Sequence, residues 1–83
     1  MDQTQSWQSI MLGLTLRDWR EGIGISLYSI AKEENTRIEN IAKVERGSAN
    51  MVNLVRYLDF IRKRDNVFFD KILTRWKNGM GYE

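Results

Sequence analysis

Apolar residues recur along this chain at intervals of three and four and are interrupted by short polar corners, the pattern of amphipathic helices rather than strands. In a first segment, expected within residues 4–21 and trailing to the glycines beyond, Trp7, Met11 and Leu14 make one stripe. Leu12, Leu16, Trp19 and Ile23 make another. Gly13 interrupts both, and Thr15 stands three residues ahead of Asp18 as a possible new start, so one bent helix and two short ones both fit. Gly22 and Gly24 close the segment. A second, short pattern of Leu27, Ile30 and Ala31 follows Ser26, whose hydroxyl suits an N-cap. Asn35 then falls where the chain must reverse, because Asn tolerates the left-handed backbone better than any residue but Gly. Thr36 and Glu39 have capping-box spacing and predict the start of a third helix with Ile38, Ile41, Ala42 and Val44 or Glu45 inward, ending at Gly47.

Beyond that corner, Asn50 is the expected N-cap of a fourth helix with Met51, Leu54, Val55, Leu58 and Ile61 inward and Tyr57 and Phe60 at its flank. The polar run 62–66 breaks the pattern. A last amphipathic helix is expected over 67–77 through Phe68, Phe69, Ile72, Leu73 and Trp76. The aromatic surplus on that helix fits either packing under the first helix or a dimer contact, and the tryptophans read as core or interface anchors.

Length and composition narrow the classes. With 83 residues the chain is read as one domain over 1–83, with a core at 12–61, a helical extension at 4–11 and the C-terminal helix at 67–77. It has no proline, cysteine or histidine. That excludes a disulfide framework, thiolate chemistry, and the commonest metal ligand and general base. No nucleophile–base pair, glycine-rich phosphate loop or metal set is visible, so no catalytic residue, metal or cofactor is expected and the chain is not read as an enzyme. The N-terminus lacks the pattern of a secretory leader and no apolar run is long enough to span a bilayer, so a cytoplasmic protein without a membrane partner is expected.

The net charge of +2 says little by itself, but its distribution is uneven. Residues 1–36 hold three basic and five acidic side chains, whereas residues 37–64 hold seven basic and three acidic. The excess comprises Arg37, Lys43, Arg46, Arg56, Arg62, Lys63 and Arg64. Such a run is either the solvated side of amphipathic helices or an electrostatic footprint for nucleic acid.

Two short helices around a polar corner over 25–47 make the pattern of a helix-turn-helix. Its register resembles the lambda-repressor-like, or Cro/C1-type (XRE), DNA-binding family. Arg20 matches the family's arginine late in helix 1, Ser26 its small polar cap, Ile30-Ala31 its apolar–alanine pair, and Asn35 its turn glycine. Ile41 and Val44 match the apolar middle of helix 3, and Glu45-Arg46-Gly47 its closing E-x-G. The likeness covers about three fifths of the chain, over 12–61, and rests on joint register rather than on any stringent motif. Two positions depart: Thr36 stands where many relatives have an apolar residue, and Leu27 where they usually place a polar one that braces the DNA backbone.

The resemblance implies an all-α, five-helix DNA-binding domain of prokaryotic or phage origin, with an Arg20–Glu45 salt bridge tying helix 1 to helix 3. It implies a sequence-specific transcriptional regulator, a repressor that acts as a homodimer on double-stranded DNA with helix 3 in the major groove. Arg37, Ile38, Glu39, Asn40 and Lys43 would then face bases, and Ser26, Arg46, Ser48 and Asn50 the phosphates. Ile38 could touch a thymine methyl or serve as the buried staple of the turn. The alternative class is an antitoxin or other small interaction module that holds a partner protein, such as a toxin, on its helical surface.

Overall fold

The computed structural model describes the backbone of residues 7–80 and the side chains of 7–75. Five helices follow one another: α1 (Trp7–Ile23), α2 (Leu27–Glu33), α3 (Ile38–Glu45), α4 (Met51–Arg64) and α5 (Asn66–Met80). No strand occurs among the described residues, so the fold is all-α. Residues 4–6 of the expected first segment and the side chain of Trp76 lie outside the described residues.

The corners form for the reasons their residues suggest. Ser26 Oγ accepts the Ser29 amide at 3.1 Å at the start of α2, and Asn50 Oδ1 accepts the Asn53 amide at 2.9 Å at the start of α4. α1, α2 and α3 all end on the same device, a residue with positive φ at Gly24, Asn35 and Gly47. At each, two amides turn back onto the helix's last carbonyls: Gly24 to Glu21 and Ile25 to Arg20, Asn35 to Lys32 and Thr36 to Ala31, Gly47 to Val44 and Ser48 to Lys43. This paired bonding satisfies carbonyls that a helix end otherwise leaves open.

One open alternative is resolved and two expectations are corrected. First, of the two arrangements that fitted the first segment the single helix is found: α1 runs unbroken through Gly13, with Thr15 Oγ1 bonded to the Met11 carbonyl rather than capping a new helix. Gly13 is there for proximity: a Cβ on it would lie 2.7 Å from the Val44 carbonyl oxygen and closer still to that of Glu45. Second, no capping box forms at α3. Its N-cap is Arg37, which makes no side-chain cap bond, and Thr36 Oγ1 instead accepts from Asn40 Nδ2 at 2.9 Å. Third, α4 is rotated from its expected face. Tyr57 and Phe60 are fully buried beside Ile61 and Leu58, whereas Met51 and Val55 are exposed.

The core consists of Leu16 and Trp19 of α1, Ile30 and Ala31 of α2, Ile41 and Val44 of α3, Tyr57, Leu58, Phe60 and Ile61 of α4, and Ile72 of α5. Leu12, Leu54, Phe68 and Phe69 pack against it partly buried. Of the two α1 stripes, the one through Leu12, Leu16 and Trp19 faces inward, although Ile23 at its end is exposed, and the one through Trp7, Met11 and Leu14 faces out. α5 is anchored by its aromatics, since the Phe68 ring stacks on Trp19 at 5.6 Å between centroids with 9° between planes. Asp65 joins the same corner. Its Oδ1 accepts the Phe68 amide and its Oδ2 the Trp19 indole N–H, each at 3.1 Å, so one carboxylate caps α5 and fixes the tryptophan.

Candidate nucleic-acid interface

What faces outward on α3 depends on what holds its inner side. Ile41 and Val44 enter the core, and Glu45, a carboxylate only 7% exposed, goes in with them. A buried charge survives only with partners, and Glu45 has them from two helices. Arg20 of α1 forks onto it through Nε at 2.6 Å and Nη2 at 3.1 Å, while its Nη1 donates to the Ile25 carbonyl at 3.0 Å. The Tyr57 hydroxyl of α4 donates to the same carboxylate, close to the Leu16 carbonyl at 3.3 Å. The Arg20 guanidinium is held above its ordinary range by its bond to Glu45 against the opposing effect of burial. Burial first, then the bond to Glu45, raises the Tyr57 phenol so that it stays a neutral donor.

The Arg20–Glu45 pair expected from the resemblance is therefore present. Tyr57 was missed as its third member because an aromatic hydroxyl on a helix flank gives no periodic signal of a buried partner. The same side of α3 is clamped by close backbone approach, since a Cβ on Gly47 would stand 2.9 Å from the Ile10 Cα. α3 is thus fixed in rotation and depth against α1, and its other face is defined by default.

That outer face carries most of the residues singled out in the sequence. Glu39, Lys43 and Arg46 recur at i, i+4 and i+7, share one side of the helix, and are exposed. Arg37, at the N-cap, and Ile38, in the first turn, are exposed as well. Ile38 is 45% exposed, so it is not the buried staple of the turn. Asn40 is half-buried, with one amide N–H given to Thr36. Of the residues expected nearer phosphates, Ser26, Arg46, Ser48 and Asn50 are all exposed. Asn50 caps through its side-chain oxygen, which leaves its amide NH₂ as a donor, whereas the Ser26 hydroxyl both caps α2 and shares a hydrogen bond with Ser29 Oγ at 3.0 Å.

The cations divide sharply. Arg37, Lys43 and Arg46 make no ion pair with any described residue. Arg62, Lys63 and Arg64 are all engaged: Arg62 with Asp59 at 2.7 Å, Lys63 with Glu34 at 3.2 Å and Asp59 at 3.1 Å, Arg64 with Glu33 at 2.9 Å. Asp59 is lowered by its bonds to Arg62 and Lys63, and Lys63 raised by its bonds to Asp59 and Glu34. The Lys63–Glu34 and Arg64–Glu33 pairs staple the end of α4 to the end of α2, and the two pairs to Asp59 lie within α4 itself. Six of the seven cations of 37–64 therefore split into a structural part and a part left facing solvent, with the half-buried Arg56 of α4 in neither set.

Among the described residues, no group of three or more Asp or Glu could hold a metal, and no helix is long and apolar enough to cross a membrane. An open groove of about 950 Å³ runs beside α5, lined by residues such as Thr15, Phe68, Lys71, Ile72 and Arg75. Comparison with family models, with curated proteins and with solved structures finds no match to this chain.

Proposed function

We propose that the protein is a cytoplasmic, sequence-specific DNA-binding regulator of prokaryotic or phage type, a repressor that acts as a homodimer with α3 in the major groove. The observation that carries this reading is the set of cations Arg37, Lys43 and Arg46, without an ion pair among the described residues, on and beside a helix whose opposite side is locked by Arg20, Glu45 and Tyr57. A helix that reads base edges must not roll, and this one is gripped by a bidentate ion pair and two glycine contacts.

Roles follow from side-chain chemistry. Arg37 and Lys43 donate to guanine edges or phosphate, Glu39 accepts from the cytosine amino group, and Asn40 serves adenine through what Thr36 leaves of its amide. Ser26, Arg46, Ser48 and Asn50 bond phosphates and set the register, which carries affinity without sequence information. One such helix covers a half-site, and a second copy supplies the other.

Electrophoretic mobility shifts at several salt concentrations, with the DNA upstream of the gene and with random duplexes, test the reading. Expected is a preferred sequence whose affinity falls steeply and linearly in log salt. Absence of binding even at low salt overturns it. A second reading, an interaction module or antitoxin holding a protein, is favoured by one feature: Trp7, Met11 and Leu14 stand 70%, 44% and 42% exposed on the outer side of α1. Tight binding of a neighbouring gene product by a protein that ignores DNA would select it.

A further inference from the structure

Within the proposed interface one side chain has no polar chemistry to offer. Ile38 opens α3 with 45% of its surface exposed, although the inward positions of the helix are already filled by Ile41, Val44 and Glu45. Ala42 follows four residues later on the same flank, so an aliphatic strip runs beside the charged row of Glu39, Lys43 and Arg46. On the other flank the Asn40–Thr36 bond closes a polar edge, so the helix presents two chemically different margins. A β-branched side chain in a helix is held essentially in one rotamer. Its methyl groups are already ordered, and contact with them costs little further entropy.

We propose that Ile38 is a specificity-determining residue that reads the 5-methyl group of a pyrimidine in the major groove. This rests on the DNA-binding reading and names what that site distinguishes. The methyl group is the one apolar feature that a base pair shows in the major groove, and aliphatic contact is how proteins recognise it. Thymine carries it, and so does 5-methylcytosine. A carboxylate such as Glu39 would accept from a cytosine amino group in either methylation state, so it cannot tell a methylated cytosine from a bare one, whereas an aliphatic side chain can.

The test uses the full chain and duplexes bearing a site selected from a random library. In each half-site every thymine is replaced singly by deoxyuridine, and every cytosine singly by 5-methylcytosine. Expected is one pyrimidine position per half-site at which the methyl group strengthens binding about three- to fourfold, the affinity equivalent of burying one such group. A thymine source shows as weakening by deoxyuridine, a cytosine source as strengthening by methylation. Ile38→Ala should erase the difference and Ile38→Val retain most of it, with melting curves showing that both variants keep the fold.

Equal binding of methylated and bare pyrimidines at every position overturns the proposal and leaves the DNA-binding reading standing. A methyl preference that persists in Ile38→Ala also overturns it. Failure of the library to yield any enriched site overturns both readings together.

Discussion

Arg37, Lys43 and Arg46 on one side, and Arg62, Lys63 and Arg64 on the other, are two sets of cations with the same side-chain chemistry and opposite surroundings. The second set lies at the end of α4, where carbonyl dipoles favour positive charge, and α2 delivers Glu33 and Glu34 to meet it. The first lies about α3, where Glu45 is turned inward and taken by Arg20, and the exposed Glu39 makes no ion pair with any described residue. A run of basic residues is thus not yet a surface potential. What decides is which acids the fold brings within reach, and here it pairs one set and leaves the other without an ion pair among the described residues.

The strongest way to break this contrast is to remove the partner that keeps Glu45 out of the first set's field. Arg20→Ala leaves a carboxylate buried with only the Tyr57 hydroxyl, and should cost on the order of 3 to 5 kcal/mol in urea unfolding. Replacing Arg20 and Glu45 together by apolar residues of similar volume should cost clearly less, because no charge is stranded. Tyr57→Phe should cost about 1 to 3 kcal/mol, since it removes a donor but keeps the packing. Single variants within 1 kcal/mol of the parent would show the network to be incidental.

A second comparison sharpens the division on DNA. Arg46→Ala should weaken binding to all sequences and lower the salt slope by about one unit, with stability within about 0.5 kcal/mol of the parent. Arg64→Ala should do the reverse. It loses a half-exposed pair with Glu33 and its stacking over Phe60 at 4.7 Å, worth about 0 to 1 kcal/mol, while the salt slope stays where it was. Equal slopes for the two variants would abolish the distinction.

How far the sequence led varies with the physics of each element. Ser26, Asn35, Gly47 and Asn50 were legible because capping and left-handed turns depend on one residue's own chemistry. The Arg20–Glu45 pair was legible only through family resemblance, since no local spacing joins residues so far apart in the chain. The face of α4 was misjudged. Periodicity ranks Met51 and Val55 above Tyr57, but Tyr57 enters the core because Glu45 and the Leu16 carbonyl satisfy its hydroxyl. Thr36 had capping-box spacing and lost to geometry, because the Schellman-type close of α2 draws its amide to Ala31 and shifts the start of α3 to Ile38. Gly13 resembled a break and is a contact, which only the proximity of the Val44 and Glu45 carbonyls reveals. On α3, the exposed row was legible from helical register, and the pairing of Arg62 and Lys63 with Asp59 has helical spacing too, whereas the pairing of Lys63 with Glu34 and Arg64 with Glu33 required knowing where α2 ends.

The smallest effect separates carboxylates held by cations from one held by hydrogen bonds. Asp59 is lowered mainly by bonds to Arg62 and Lys63, Asp65 mainly by the Phe68 amide and then by the Trp19 indole. In both, the folded protein favours the charged form. Each therefore contributes stability that is present above the unfolded carboxyl value of about 3.9 and is lost as pH falls through the lower folded value. Salt should weaken the Asp59 contribution, because its partners are exposed cations, and spare that of Asp65, whose donors carry no net charge. Thermal melts below neutral pH should accordingly show an acid limb that is shallower in Asp65→Asn than in the parent at high salt. At low salt, Asp59→Asn should flatten it too. If Asp65→Asn follows the parent at every pH and salt, the carboxylate that caps α5 and anchors Trp19 contributes nothing beyond what an amide supplies.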